Sequence, residues 1–123
     1  MREDRVMKEL EITAINENLV KVLAFVDKEL EKVGCPMKAQ LKIDIAVEEI
    51  FVNIAHYAYA PDEGEVVIEL ERLPLEPNII SIKFTDWGVP YDPAEFDIDY
   101  GNVDDVAYVR DNDKNVLAFR KKW

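Results

Sequence analysis

Two stretches of 3.6-residue apolar periodicity lie side by side early in this chain, and the remaining apolar residues alternate in twos. That order of periods constrains the fold more than any single motif. In the first stretch Leu19, Val22, Leu23, Val26, Leu30 and Val33 share one helical face. Asn16 suits its N-cap and Gly34 its C′ position. The second stretch opens with Pro36 in the first turn and runs to about Tyr59, with Ile43, Val47, Ile50, Phe51, Ile54 and Ala58 as a core stripe. Strand alternation marks Leu10 and Ile12, then Val66, Ile68 and Leu70, then Ile80, Ile82 and Phe84. Val106 and Tyr108 with Leu117 and Phe119 read as a closing hairpin around Asp111-Asn-Asp113. Pro61-Asp-Glu-Gly64 reads as a turn, and Leu73-Pro-Leu-Glu-Pro77 joins an antiparallel pair. The order β-α-α-β-β-β-β predicts an α+β fold: a two-layer sandwich, a mostly antiparallel sheet with helices on one face. One domain spanning 1–123 is expected of a chain of 123 residues.

Charge then limits the partners. A net charge of −11 disfavours nucleic acid, and the one basic cluster, Arg120-Lys121-Lys122, is too small for a phosphate-reading face. No apolar run approaches the roughly 20 residues of a bilayer span, so no membrane is expected. Cys35 is the only cysteine, which leaves no intramolecular disulfide. A reduced, cytoplasmic protein is expected, one that needs a divalent cation to hold any polyphosphate.

The second helix also carries polar groups that packing alone does not require. Glu49, Asn53 and His56 lie opposite the core stripe, flanked by Ile45, Ala46 and Val52. Asn53 offers a neutral oxygen to Mg²⁺, and Glu49, one turn away, can deprotonate a hydroxyl or a water. The pair equally reads as an i, i+4 polar pair that caps or hydrogen-bonds a neighbouring strand. Asp86-Trp-Gly-Val-Pro90 follows a buried strand, so its carboxylate can accept from an exocyclic amine, or serve as the first corner of a Gly-Pro turn. His56, the single histidine, suits a hydrogen bond at a pocket rim, since no second His or Cys completes a transition-metal site. Tyr57, Tyr59 and Tyr91 suit an aromatic wall or half-buried packing.

Together these residues resemble a known family. Ala46-Val-Glu-Glu-Ile-Phe-Val-Asn-Ile-Ala-His-Tyr-Ala-Tyr59 is similar to the N box, and Asp86-Trp-Gly-Val-Pro-Tyr-Asp-Pro93 to the first glycine box, of the anti-sigma-factor serine/threonine kinases, which are Bergerat-fold, histidine-kinase-like ATPases. The likeness resumes at Val103-Asp-Asp-Val106 and Asn115-Val-Leu117. The resemblance implies ATP and Mg²⁺ as cofactors, Glu49 as catalytic base and Asn53 as the Mg²⁺ ligand. It implies Asp86 as acceptor of the adenine amine, Gly88 as the residue that lets the purine lie close to the backbone, and His56 and Tyr91 as further nucleotide contacts. It also implies the partners: a bacterial sigma factor held inactive, an antagonist protein phosphorylated on serine, and a homodimer.

One departure stands beside the match. The family carries a second glycine box of the G-x-G-L kind in a lid over the phosphates, with a helix after it. Here 18 positions separate Asp86 from Asp105, and no two of Gly34, Gly64, Gly88 and Gly101 stand close enough to form that box. The lid and its helix are missing from this sequence, either by true deletion or because the segment lies outside the chain as read. Three functions follow from this. The first is a serine kinase of the anti-sigma type. The second is a non-catalytic partner-binding regulator with a degenerate nucleotide site. The third, ATP hydrolysis without a protein acceptor, lacks a water-positioning device.

Overall fold

The first strand, β1, spans Val6–Thr13 at the edge of a five-stranded sheet, as the alternation at Leu10 and Ile12 predicts. The structure is a computed structural model and describes residues 6–73, 75–92 and 100–123. Helices α1 (Leu19–Lys32) and α2 (Met37–Asn53) follow, then strands β2 (Glu65–Arg72), β3 (Ile79–Asp86), β4 (Asp105–Asp111) and β5 (Lys114–Lys122). The sheet order is β1-β2-β3-β5-β4, and every pairing is antiparallel. The expected α+β two-layer architecture is what the chain adopts.

Helix α1 buries Val22, Val26 and Leu30, three of the six residues on its predicted stripe, with Leu19 and Leu23 packed at the margin. It ends as the glycine predicts. Gly34 takes φ +68°, its amide bonds the Glu31 carbonyl, and the Cys35 amide reaches back to Leu30. The start differs from expectation. Residues Asn16–Asn18 form a 3₁₀ turn ahead of α1, and no side chain caps the helix. Asn18 donates to the Thr13 carbonyl and Asn16 pairs with His56, so both amides are committed outside the helix.

Helix α2 buries Ile43, Val47, Ile50 and Phe51 as expected, and it also buries Ala46, which was assigned to the flank of the polar strip. Pro36 stands one position earlier than expected, as the extended residue before the helix, where its missing N–H costs nothing. The helical path continues to Ala58, but Ile54–Ala58 widens into a π turn. Pro61 then prevents further helix.

The sheet meets the helices in cross-strand rows. Leu70, Ile82, Phe119 and Val106 stand opposite one another, as do Ile68, Phe84, Leu117 and Tyr108. The apolar members of these rows form the core with the two helices. Burying each such side chain contributes about 1.5–3 kcal/mol, which is why strict alternation fixes the register. Among the described residues no helix covers the other sheet face, which carries a Lys83–Glu69 ion pair at 3.5 Å and the exposed Trp87 and Val109. Between β3 and β4 the described residues hold only a 3₁₀ turn at Tyr100–Asn102, beside α2. The segment 93–99, expected to be irregular and the place where the lid is missing, lies outside the described residues.

Candidate functional site

One more row on the helix-facing side of the sheet is polar in three of its four members. Val66, Asp86, Asn115 and Arg110 stand opposite one another across β2, β3, β5 and β4. Asp86 shares the parity of Ile80, Ile82 and Phe84, so the pleat turns its carboxylate inward. The same parity carries Asn115 inward with Leu117 and Phe119. Both residues are 0% exposed.

The two side chains meet. Asn115 Nδ2 donates to Asp86 Oδ1 at 2.9 Å and to the Val89 carbonyl at 2.8 Å. The Gly88 amide donates to the same Asp86 oxygen at 2.9 Å. Asp86 Oδ2 is buried without a hydrogen bond of normal geometry among the described residues. Burial pushes the Asp86 carboxyl above the usual carboxylate range, while Asn115, the Gly88 amide, the Tyr91 hydroxyl and the Arg110 charge pull it back. An ionised carboxylate with one oxygen satisfied and the other short of a well-formed hydrogen bond is a ready acceptor for an N–H group.

The loop after β3 is tied to the helix that bears the other candidates. The Val89 amide donates to the Ala58 carbonyl at 2.9 Å. Gly88 lies against that same residue, where an added Cβ would fall 2.1 Å from the Ala58 oxygen. The close approach seen at Gly88 is therefore one between two parts of the chain. Tyr59 reinforces the junction: its hydroxyl donates to the Glu65 carbonyl and accepts from the Trp87 amide at 2.8 Å. Burial raises its phenol pKa above the ordinary value; the Trp87 bond opposes this, and the charges of Asp86 and Glu65 add to it.

Glu49 and Asn53 are half-buried on the last turns of α2. Asn53 Nδ2 donates to the Glu49 carbonyl at 2.8 Å. With the amide nitrogen committed to the helix backbone, Oδ1 is the group left to serve a cation. Among the described residues no cluster of three or more His, Cys, Asp or Glu could hold a metal ion. Mg²⁺ typically takes one or two protein oxygens together with water and phosphate. His56 is exposed, and its Nε2 lies 3.0 Å from the Asn16 amide nitrogen. Tyr57 is exposed, whereas Tyr91 is half-buried with its ring 5.0 Å from that of Tyr108.

Three residues of this site had been given no role from sequence: Asn115, Tyr108 and Arg110. Asn115 was legible in principle, as a polar residue at the inward parity of an otherwise apolar strand. Tyr108 and Arg110 follow only from the pairing of β4 with β5.

The model of the histidine kinase-like ATPase domain matches residues 12–99, about seven-tenths of the chain. The chain belongs to that family. Its fold is similar to the crystal structure of the RsbU and RsbW domains of Rv1364c from Mycobacterium tuberculosis, with a TM-score of 0.74 and 17% identity. The likeness covers 94% of this histidine-kinase-like domain and 32% of that chain, so the present chain spans about a third of its structural relative. No curated protein matches the sequence. No helix among the described residues is long and apolar enough to cross a membrane.

Proposed function

We propose that this histidine-kinase-like domain is an ATP-binding regulator of the anti-sigma-factor kinase type, which phosphorylates a serine of an antagonist protein and sequesters a sigma factor. The observation that carries the reading is the fully buried Asp86 carboxylate, whose Oδ2 makes no hydrogen bond of normal geometry among the described residues, at the end of the helix-facing side of the sheet. Asp86 accepts from the purine's exocyclic amine, and Gly88 keeps the neighbouring backbone slim. Asn53 Oδ1 is the protein's ligand to Mg²⁺. Glu49 takes the proton of the incoming serine hydroxyl. His56 and Tyr91 stand at the rim. When bound, Mg²⁺-ATP supplies the phosphoryl group and the positive charge that an acidic chain needs beside phosphates.

Calorimetry with Mg²⁺-ATP tests the site. Wild type binds, and Asp86→Asn and Asn53→Ala bind at least about tenfold more weakly, the loss of one charge-assisted contact. Undiminished binding by both variants refutes it.

A second reading, a non-catalytic partner binder with a degenerate nucleotide site, is favoured by one feature. No second glycine box exists in the sequence, and the described part of the β3–β4 connection offers only a 3₁₀ turn. Incubation with labelled ATP and a candidate antagonist separates the two, because a pure binder leaves no phosphoserine.

A further inference from the structure

Asn115 is held on both ends of its amide. Its nitrogen donates to Asp86 Oδ1 and to the Val89 carbonyl, with the Gly88 carbonyl at 3.5 Å. Its oxygen accepts from the Tyr108 hydroxyl and from Arg110 Nη1 at 3.2 Å. A flipped amide would set oxygen against two acceptors and NH₂ against two donors, so only one orientation is satisfied. Arg110 is anchored in turn: Nη1 reaches the Gly88 carbonyl at 2.9 Å, and Nε reaches the Asn112 carbonyl at 3.1 Å. The Tyr91 amide lies 3.4 Å from the Tyr108 hydroxyl, which joins the far side of the loop to the same hairpin.

We propose that Asn115, locked in orientation by Tyr108 and Arg110, is a positioning residue that fills one oxygen of Asp86 and leaves the other as the acceptor for a ligand, selecting a purine with an exocyclic amine at that edge over one with a carbonyl. The proposal rests on the reading of Asp86 as the nucleotide's acceptor. Two consequences follow from the chemistry. An ionised Asp86 can only accept, so it rejects a carbonyl edge by leaving two acceptors face to face. A protonated Asp86 could donate and would lose that discrimination. The side chains facing Asp86 are Asn115 from β5, Arg110 and Tyr108 from β4, Tyr91 from the loop and Tyr59 from the end of the second helix. Arg110 is the one cation named among them, and it favours the charged form that burial opposes.

The experiment is calorimetry of Mg²⁺-ATP and Mg²⁺-GTP from about pH 5 to about pH 9 on wild type, Arg110→Gln, Arg110→Lys, Asn115→Leu and Asp86→Asn. Titration of the nucleotide's own phosphates is common to all five proteins, so differences between profiles report on the site. The exposed Arg110 is the variant least able to disturb folding. Arg110→Gln is expected to bind ATP more weakly than wild type and to lose affinity at a higher pH on the acid side. Arg110→Lys should restore the wild-type acid limb. Asn115→Leu is expected to weaken ATP by about tenfold or more and to compress the ATP-over-GTP ratio. Full wild-type affinity of Arg110→Gln at every pH, or an unchanged ATP-to-GTP ratio in Asn115→Leu, overturns the proposal. If wild type binds no nucleotide at any pH, the reading of Asp86 fails first. If wild type binds, Asp86→Asn does not, and the Asn115 and Arg110 variants match wild type, the reading stands and the positioning role alone falls.

Discussion

Gly88 and Ala58 approach so closely that a Cβ on Gly88 would lie 2.1 Å from the Ala58 carbonyl oxygen and 2.5 Å from its carbonyl carbon. Both obstructing atoms are backbone, and the same carbonyl accepts the Val89 amide at 2.9 Å. The contact therefore welds the loop after β3 to the end of the helical segment that bears Glu49 and Asn53. Gly88→Ala must push the two apart and break that hydrogen bond. A loss of about 1–3 kcal/mol is expected, read as a lower urea midpoint. An unshifted midpoint would mean that the loop is free to move away from Ala58.

Tyr59 holds the same junction from the other side. Tyr59→Phe keeps the ring that packs over Gly64 and removes only the hydroxyl that links Glu65 to Trp87. Glu65 and Trp87 are exposed, so water can replace the lost partner, and the cost is expected at the low end, about 1 kcal/mol. Amide exchange at Trp87 should accelerate while exchange in β5 stays slow.

Asn53 separates a structural role from a functional one. Its amide nitrogen returns a hydrogen bond to the Glu49 carbonyl of its own helix. Alanine is the better helix former, so Asn53→Ala should change stability by no more than about 0.5 kcal/mol. Mg²⁺-dependent nucleotide binding is expected to fall all the same. A variant that loses stability and binding in proportion would reassign Asn53 to packing.

How much of this was legible in the sequence follows from which forces are local. The stripes of α1 and α2 and the alternation of β2 and β3 were readable, because each element buries an apolar face whose period is written in consecutive residues. The end of α1 at Gly34 was readable for the same reason: only a positive φ closes that turn. Asp86 was singled out as a strand-end carboxylate, but its partner Asn115 was not. The contact depends on β5 inserting between β3 and β4, and strand order is a property of the whole sheet. Asn16 misled for a related reason. Its amide suits an N-cap, yet His56, forty residues away, takes it instead. Gly88 was read as room for a ligand, whereas the neighbour the structure shows pressed against it is the chain's own Ala58.

Asp27 on α1 and Asp44 on α2 face each other, and the pair gives the fold a pH dependence of its own. Burial first, then hydrogen bonding to Asp27 and its charge, push the Asp44 carboxyl up to about 7 from an ordinary 3.8. A carboxyl whose folded pKa is raised stabilises the fold fully below its unfolded pKa, and that stability is lost as the pH climbs through the folded value. Wild type should therefore weaken steadily from about pH 4 to about pH 8. Because the group is only half-buried, screening reduces the effect to about 1 kcal/mol rather than the full linkage value. Asp44→Asn cannot titrate, and its amide can donate to Asp27 at every pH. Its urea midpoint should be nearly flat over that range, at or below wild type near pH 5 and above it near pH 8. Two profiles that run parallel would show that Asp44 stays ionised throughout, and that the helices tolerate both charges.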